Sequence, residues 1–125
     1  MKMITAIVQP DHLNKVKKEL FDAKIMRFIV SDCWGHSDEE ATIETYRGIA
    51  LEVDLKKKSR IQMAVNDDFV DIAIAAIIRG GRTGKASGAG KIFVQPLERT
   101  ISIHSGDEGD TAIGGYDESR AEPRV

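Results

Sequence analysis

The sequence predicts an α+β fold in which two βαβ units share one antiparallel four-stranded sheet. Stretches rich in β-forming residues alternate with segments whose apolar residues recur at helical spacing, and the second half repeats the first. At an offset of 57 residues, Val8 aligns with Val65 and Leu20 aligns with Ile77. A chain of 125 residues is also the right size for one domain with one core.

The first half is predicted as strand, helix and strand. Residues 2–9 are rich in β-forming side chains and end at Pro10, and Asp11 is the predicted helix cap. The apolar residues that follow recur at helical spacing, at Leu13, Val16, Leu20 and Phe21. Residues 28–34 then alternate as a second strand.

The second half follows the same order. Residues 60–66 are predicted as a strand, Asp67 or Asp68 as a helix cap, and residues 91–95 as the last strand. The helix between them carries apolar side chains at Phe69, Val70, Ala73, Ile74, Ile77 and Ile78. Together the two halves predict a ferredoxin-like βαββαβ sandwich with both helices on one face of the sheet.

The face of the sheet opposite the helices is expected to carry apolar side chains that the helices do not shield from water. The apolar residues expected on that face are Ile4, Ala6, Val8, Ile29 and Met63. A monomer rarely leaves such a surface in water, so we expect the chain to form a homotrimer.

Two segments are candidates for function. The connection at 36–55 is longer than most in a compact domain, and its run His36–Glu40 lies near Cys33 and offers oxygen and nitrogen ligands. An acidic loop of this kind is usually just solvated, so no metal site is predicted there. The glycine-rich segment at 80–91, with Lys85 and Lys91, fits either a phosphate cradle or a flexible connector. It matches neither a Walker A loop nor a dinucleotide-binding glycine motif.

Composition and charge exclude several classes of function. The net charge of −2 argues against nucleic-acid binding, and no apolar run is long enough to span a membrane. One cysteine and no signal-peptide pattern indicate the cytoplasm. No catalytic motif is present, so the chain is predicted not to be an enzyme.

The motifs along residues 1–113 resemble the PII family of nitrogen and carbon regulators. The residues that carry the resemblance are MKMITAIVQP at the start, TYRG in the long loop, IIR, TGK and GKIFV in the second half, and SGDEGDTAI near the end. Their order and spacing are specific to this family. The resemblance divides the chain into a domain at 1–113, with a T-loop at 36–55 and a B-loop at 81–91, and a flexible acidic tail at 114–125.

The resemblance implies a homotrimer that binds ADP or ATP, with AMP as a further candidate, in clefts between subunits. Mg²⁺ would accompany the nucleotide. The expected nucleotide-binding residues are Ile7, Met63 and Ala64 beside the base, Gly35 from a neighbouring subunit, and Thr83, Gly84, Lys85, Gly88, Ala89, Gly90 and Lys91 at the phosphates. The T-loop would contact a transporter, enzyme or regulator through His36, Asp38, Glu40, Tyr46, Arg47 and Leu51.

The chain departs from the family pattern at the effector and phosphate positions. Leu51 stands where some members carry a modifiable tyrosine, and Asp38 and Glu39 replace an arginine and a glutamine beside the oxoglutarate site. Lys58, which would meet the oxoglutarate carboxylate, is kept. Ser102 and His104 stand where two arginines reach the phosphates. These changes indicate a divergent member with weak oxoglutarate sensing.

Two other functions remain open at this point. One is a trimeric metal-binding or small-ligand-binding protein that resembles the CutA group. The other is a small phosphotransfer enzyme, which lacks a recognisable nucleophile in the sequence.

Overall fold

The computed structural model describes residues 1–36, 43–46, 49–53, 55–84 and 88–114. The sheet strands are β1 (Lys2–Val8), β2 (Ile29–Gly35), β5 (Lys56–Val65) and β6 (Gly90–Pro96). The helices are α1 (Leu13–Asp22), α2 (Val70–Gly81) and the short α3 (Asp110–Ile113). Two further strands, β3 (Ile43–Tyr46) and β4 (Ile49–Val53), form a hairpin inside the long connection that the sequence had suggested was a plain loop.

The four-stranded sheet has the order β2-β5-β1-β6, and every neighbouring pair is antiparallel. This is the ferredoxin-like arrangement predicted from the repeat, with β1 and β5 in the centre. The glycine-rich segment expected from Gly80 instead begins after Gly81, because α2 continues through both glycines. Among the described residues, no helix is long and apolar enough to cross a membrane.

One core lies between the sheet and the two long helices. Its sheet residues are Ile4, Ala6 and Val8 of β1 and Ile61, Met63 and Val65 of β5, and its helix residues include Val16, Leu20, Ala73, Ala76 and Ile77. Every one of these side chains is buried. The two central strands, β1 and β5, therefore bury alternate residues, as the period of two requires.

The prediction of which apolar residues face away from the helices was wrong for four of the five. Ile4, Ala6, Val8 and Met63 lie in the core beneath the helices. Alternation defines two faces of a strand, but β1 has apolar residues on both, so the pattern did not show which face the helices cover.

The face without helices is lined by the intervening residues. Ile29 is on this face, since it pairs with Gln62, which in turn pairs with Thr5 of β1. Phe93 pairs with Thr5 from the other side. Ile29 is 69% exposed and Phe93 is 53% exposed in the single chain, so an apolar surface does remain uncovered, with different residues from those expected.

The predicted aspartate caps are absent from the two helix starts. Asp11 and Asp67 each lie in a single 3₁₀ turn that precedes the helix, and neither helix start has a side-chain cap bond. The first turn is held by backbone bonds instead, from His12 N to Gln9 O at 2.9 Å and from Phe69 N to Asn66 O at 2.9 Å. These bonds satisfy backbone groups that a cap would otherwise serve.

Asp67 instead pairs with the start of the chain. Its Oδ1 accepts a hydrogen bond from the amino group of Met1 at 2.7 Å and lies 3.5 Å from Lys2 Nζ. The hydrogen bond from the amino terminus, followed by the charge of Lys2, lowers the pKa of Asp67 below its ordinary value.

A lowered carboxyl pKa makes stability depend on pH in a defined direction. Asp67 contributes stability that is fully present above the unfolded pKa of about 4 and is lost as pH falls through the lower folded pKa. We therefore expect Asp67→Asn to be less stable than the wild type at pH 6, with the difference shrinking toward zero near pH 2. Urea unfolding at several pH values measures this difference, and a gap that stays constant down to pH 2 would contradict the prediction.

Candidate functional site

The described part of the glycine-rich loop is held against the end of β1. Gly90 has φ +122°, and a Cβ at this position would lie 1.8 Å from Ile7 O. Gln9 Nε2 donates a hydrogen bond to Gly88 O at 2.5 Å, and Gly88 has φ +84°. The sequence left open whether this loop is a phosphate cradle or a flexible connector. The close approach of its backbone to β1 favours the cradle.

Cationic side chains lie on the helix-free face beside this loop. Lys91 pairs with Ile7, and Ile7 pairs with Arg60 on its other side, so the three residues form one row across the sheet. Lys58 is two residues further along β5, on the same face, and pairs with Cys33 of β2. A cation row next to a loop whose backbone closely approaches the sheet is suited to bind a phosphate group.

Lys58 and Gly35 meet at the same end of the sheet. Lys58 is only 8% exposed, and a Cβ on Gly35 would lie 3.7 Å from Lys58 Cγ. Lys56, Lys57, Lys58 and Arg60 all belong to β5, which begins four residues before the predicted strand. Strand alternation through this run could have identified Arg60, whose Nε is buried with no hydrogen-bond partner among the described residues.

Ser102 and His104 lie at the opposite end of the sheet. They belong to a turn closed by bonds from Ser102 N to Asp107 O at 2.8 Å and from Gly109 N to Thr100 O at 2.9 Å. Leu97 N donates to Met1 O, which ties the start of this segment to the first residue of the chain. Because β1 runs from one end of the sheet to the other, about 20 Å separates this turn from the glycine-rich loop.

The predicted nucleotide-binding residues therefore fall into two groups. Ile7, Gly35 and Lys91 lie at one end of the helix-free face, and Thr83, Gly84, Gly88, Ala89 and Gly90 belong to the loop and the strand start at that end. Ala64, which pairs with Met3, lies toward the other end with Ser102 and His104. The side chain of Met63, which the resemblance places beside the base, is 2% exposed in the core beneath the helices.

Several predicted loop residues cannot be placed. Asp38, Glu39, Glu40, Arg47 and Lys85 lie outside the described residues, and so do residues 115–125 of the acidic tail. Tyr46 ends β3 and Leu51 lies within β4, and His36 is exposed directly after β2. In the part of the chain that the structure describes, no three His, Cys, Asp or Glu side chains come together as a metal site.

The bond from Gln9 to Gly88 was not predicted, since nothing in the sequence links two residues 79 positions apart. We expect Gln9→Met, which keeps the length of the side chain and removes the donor, to loosen the loop and weaken phosphate binding. One neutral hydrogen bond contributes about 0.5–1.5 kcal/mol, so the loss of ADP affinity should be about 2- to 12-fold.

Calorimetric titration with ADP measures this loss, and hydrogen exchange at residues 88–90 reports the loosening of the loop directly. Gln95→Met is the matched control, because Gln95 is exposed near the other end of β6. Equal ADP affinities in both variants and the wild type would show that the Gln9 bond does not position the loop.

Comparison with known proteins gives one consistent result. The family model described as nitrogen regulatory protein P-II matches residues 1–107. A nitrogen regulatory protein P-II from Cereibacter sphaeroides is 38% identical over 113 residues, which cover 90% of this chain and 100% of that protein. The nitrogen regulatory protein GlnK1 of Methanosarcina mazei is 37% identical over 114 residues, covering 90% and 97%.

A solved structure shows the same fold. The crystal structure of Arabidopsis thaliana PII bound to citrate superimposes with a TM-score of 0.71 at 29% identity. The match covers 90% of this chain and 88% of that one.

Proposed function

Because this chain belongs to the nitrogen regulatory protein P-II family, whose members are regulatory signal transducers, we propose that it binds an adenine nucleotide between the subunits of a homotrimer. The bound nucleotide would then change how residues 36–55 contact a target transporter, enzyme or regulator. The regulated target would belong to nitrogen or inorganic-carbon metabolism.

The observation that supports an intersubunit site is the separation of the two groups of candidate residues. Gly90 and Lys91 lie at one end of the sheet, and Ser102 and His104 lie at the other. With its phosphates at Gly90 and Lys91, a nucleotide is not expected to contact Ser102 and His104 of the same chain, which lie about 20 Å away. A second copy that covers the exposed Ile29 and Phe93 would both bury the apolar face and bring its own turn toward the loop.

The chemistry of each group suggests its role. The backbone of residues 88–90 and the ammonium group of Lys91 suit the phosphates, with Lys85 as a further cation from the same loop, and Mg²⁺ would bind through the phosphates. Ile7 of one subunit and Ala64 of a neighbouring subunit would offer apolar surface for the base, since the two lie toward opposite ends of the sheet in one chain. Lys58 and Glu39 are the residues that the family resemblance suggests for an anionic effector.

We expect the site to bind ADP or AMP about as well as ATP. Ser102 is neutral, and His104 carries a full charge only when protonated, so the outer phosphates lack two permanent cations that other family members supply. Charged hydrogen bonds contribute about 1.5–3 kcal/mol each, so their loss removes a large preference for ATP.

Calorimetric titrations with ATP, ADP and AMP test the proposal. ADP and ATP affinities within tenfold of each other are expected at pH 8, and Lys91→Ala should weaken ADP binding by about 10- to 150-fold. Lys18→Ala is the control, since Lys18 is 75% exposed and pairs with Asp22 on α1. If no nucleotide binds the wild type, or if Lys91→Ala has no effect, the proposed site is wrong.

Light scattering provides the independent test of assembly. A trimer at micromolar concentration is the expected result, because Ile29 of β2 and Phe93 of β6 are exposed in the single chain. A stable monomer would remove the intersubunit site together with the proposed mechanism.

A further inference from the structure

Residues 97–114, the crossing segment, run across one end of the sheet after the last strand. The segment begins at Leu97, directly after β6, and Leu97 N donates to Met1 O at 3.1 Å beside the start of β1. It returns to the body of the fold at α3, where Asn66, directly after β5, donates from Nδ2 to Asp110 O at 3.4 Å. The segment therefore contacts the ends of the two central strands.

Arg27 fastens the far end of the crossing segment. It lies two residues before β2, and its Nη1 donates a hydrogen bond to Ile113 O at 3.2 Å. Ile113 is the last residue of α3 and is only 7% exposed. The last carbonyl groups of a helix have no partner within the helix, so Arg27 supplies one. Because β6 and β2 are the two edge strands, the crossing covers three strand spacings, or about 14 Å.

Gly114 provides space for the guanidinium of Arg27. Its φ is +68°, and a Cβ at this position would lie 2.8 Å from Arg27 Nη1 and 3.3 Å from Arg27 Cζ. An alanine at 114 would therefore displace the guanidinium and also adopt a backbone conformation that glycine adopts more easily. Arg27 thus contacts both of the residues that end the crossing segment.

The middle of the crossing segment folds back on itself as two legs. Ser102 N donates to Asp107 O at 2.8 Å. Gly109 N donates to Thr100 O at 2.9 Å, so the two legs are bonded to each other and move together. His104 lies in the turn between them. Since one leg starts from β6 and the other ends at α3, the orientation of this turn depends on both attachments.

We propose that Arg27 is a positioning residue for the nucleotide site, because it holds the turn so that Ser102 and His104 reach a nucleotide on a neighbouring subunit. This inference rests on the proposed function in one respect, that these two side chains contact the bound nucleotide. With Arg27 in place, the turn is oriented before the nucleotide binds. Without Arg27, part of the binding free energy is spent on ordering the turn, and the affinity falls.

Hydrogen exchange of the full chain tests whether Arg27 fastens the segment. In Arg27→Gln, exchange at residues 100–109 should become about tenfold faster or more, the loss expected for one charge-assisted hydrogen bond. Gly114→Ala, which displaces the guanidinium without removing it, should have a similar effect. The matched control is Arg79→Gln, because Arg79 Nε donates to Glu19 Oε2 at 3.0 Å near the end of α2, away from this segment.

Calorimetric titration with ATP tests the role in binding. Arg27→Gln should weaken the ATP affinity about fivefold or more, the loss expected for two neutral hydrogen bonds from the turn. In a chain that already carries Ser102→Ala and His104→Ala, the same substitution should have no further effect. Such non-additivity identifies a residue that acts through those two side chains. Arg27→Lys, which keeps a donor for Ile113 O, should recover most of the affinity.

The outcomes separate this inference from the proposed function. If the wild type binds ATP but Arg27→Gln loses equal affinity in both backgrounds, Arg27 does not act through the turn and only the inference fails. The inference also fails if Arg27→Gln leaves exchange at residues 100–109 or the ATP affinity unchanged. If the wild type binds neither ATP nor ADP, the proposed function fails, and the role of Arg27 in it fails as well.

Discussion

Replacing Gly90 with alanine is expected to destabilise the protein by about 3 kcal/mol or more and to abolish nucleotide binding. The new Cβ would lie 1.8 Å from Ile7 O and 2.9 Å from Ile7 C, and φ of +122° is rarely accessible to alanine. Both contacts are with backbone of the central strand β1, so no side chain can move aside. The start of β6 would have to separate from β1, and Lys91 would move with it.

Urea denaturation and ADP titration measure the two parts of this prediction. Gly84→Ala is the matched control in the same loop, because a Cβ there meets no atom within 4 Å. It should fold with nearly wild-type stability. If Gly90→Ala is as stable as Gly84→Ala, then β6 does not approach β1 as closely as the structure shows.

Replacing Gly80 with alanine is expected to destabilise the protein by about 1–3 kcal/mol through the contact between α1 and α2. A Cβ on Gly80 would lie 2.6 Å from Val16 Cα, 2.7 Å from Val16 N and 2.8 Å from Lys15 C. Helix propensity alone predicts the opposite sign, because alanine in a helix is favoured over glycine by about 0.5–1 kcal/mol. The sign of the measured change in the free energy of unfolding therefore shows whether helix packing or helix propensity dominates at position 80.

Gly81→Ala is the control for this prediction. Its Cβ would lie 3.6 Å from Val8 Cγ1 and 3.7 Å from Val16 Cγ2, which are ordinary contact distances. We expect Gly81→Ala to be neutral or slightly stabilising in urea denaturation. Equal effects of the two substitutions would mean that the helices can separate without loss, contrary to the close approach at Gly80.

The ferredoxin-like fold could be predicted because its evidence is local and periodic. Strand alternation at residues 2–9, helical spacing from Leu13 to Leu20 and the repeat in the second half each depend on side chains close together in the chain. The structure confirms the four main strands and the two long helices, with boundaries shifted by a few residues. The hairpin Ile43–Val53 was missed because its alternation is short and is flanked by no clear turn signal.

Contacts between distant residues could not be predicted. The sequence suggested that Asp11 and Asp67 cap helices, since aspartate before an apolar helix usually does, but Asp67 binds the amino group of Met1 from across the fold. The bond from Gln9 to Gly88 and the exposure of Trp34 depend equally on how the strands are arranged. Sequence propensities predict the most common role of a residue type, such as helix capping by aspartate. A residue can have a different role when the tertiary structure places another partner beside it.

The sequence by itself determined the element order, the duplication, the family resemblance and the glycine-rich loop with its lysines, because each is encoded in residue type and spacing. Only the tertiary structure decided which face of β1 the helices cover, and so placed the side chain of Met63 in the core. It also decided that Lys91 and His104 lie at opposite ends of the sheet. The physical reason is that register and layer packing are set by contacts summed over the whole chain, whereas periodicity is set by neighbours within a few residues.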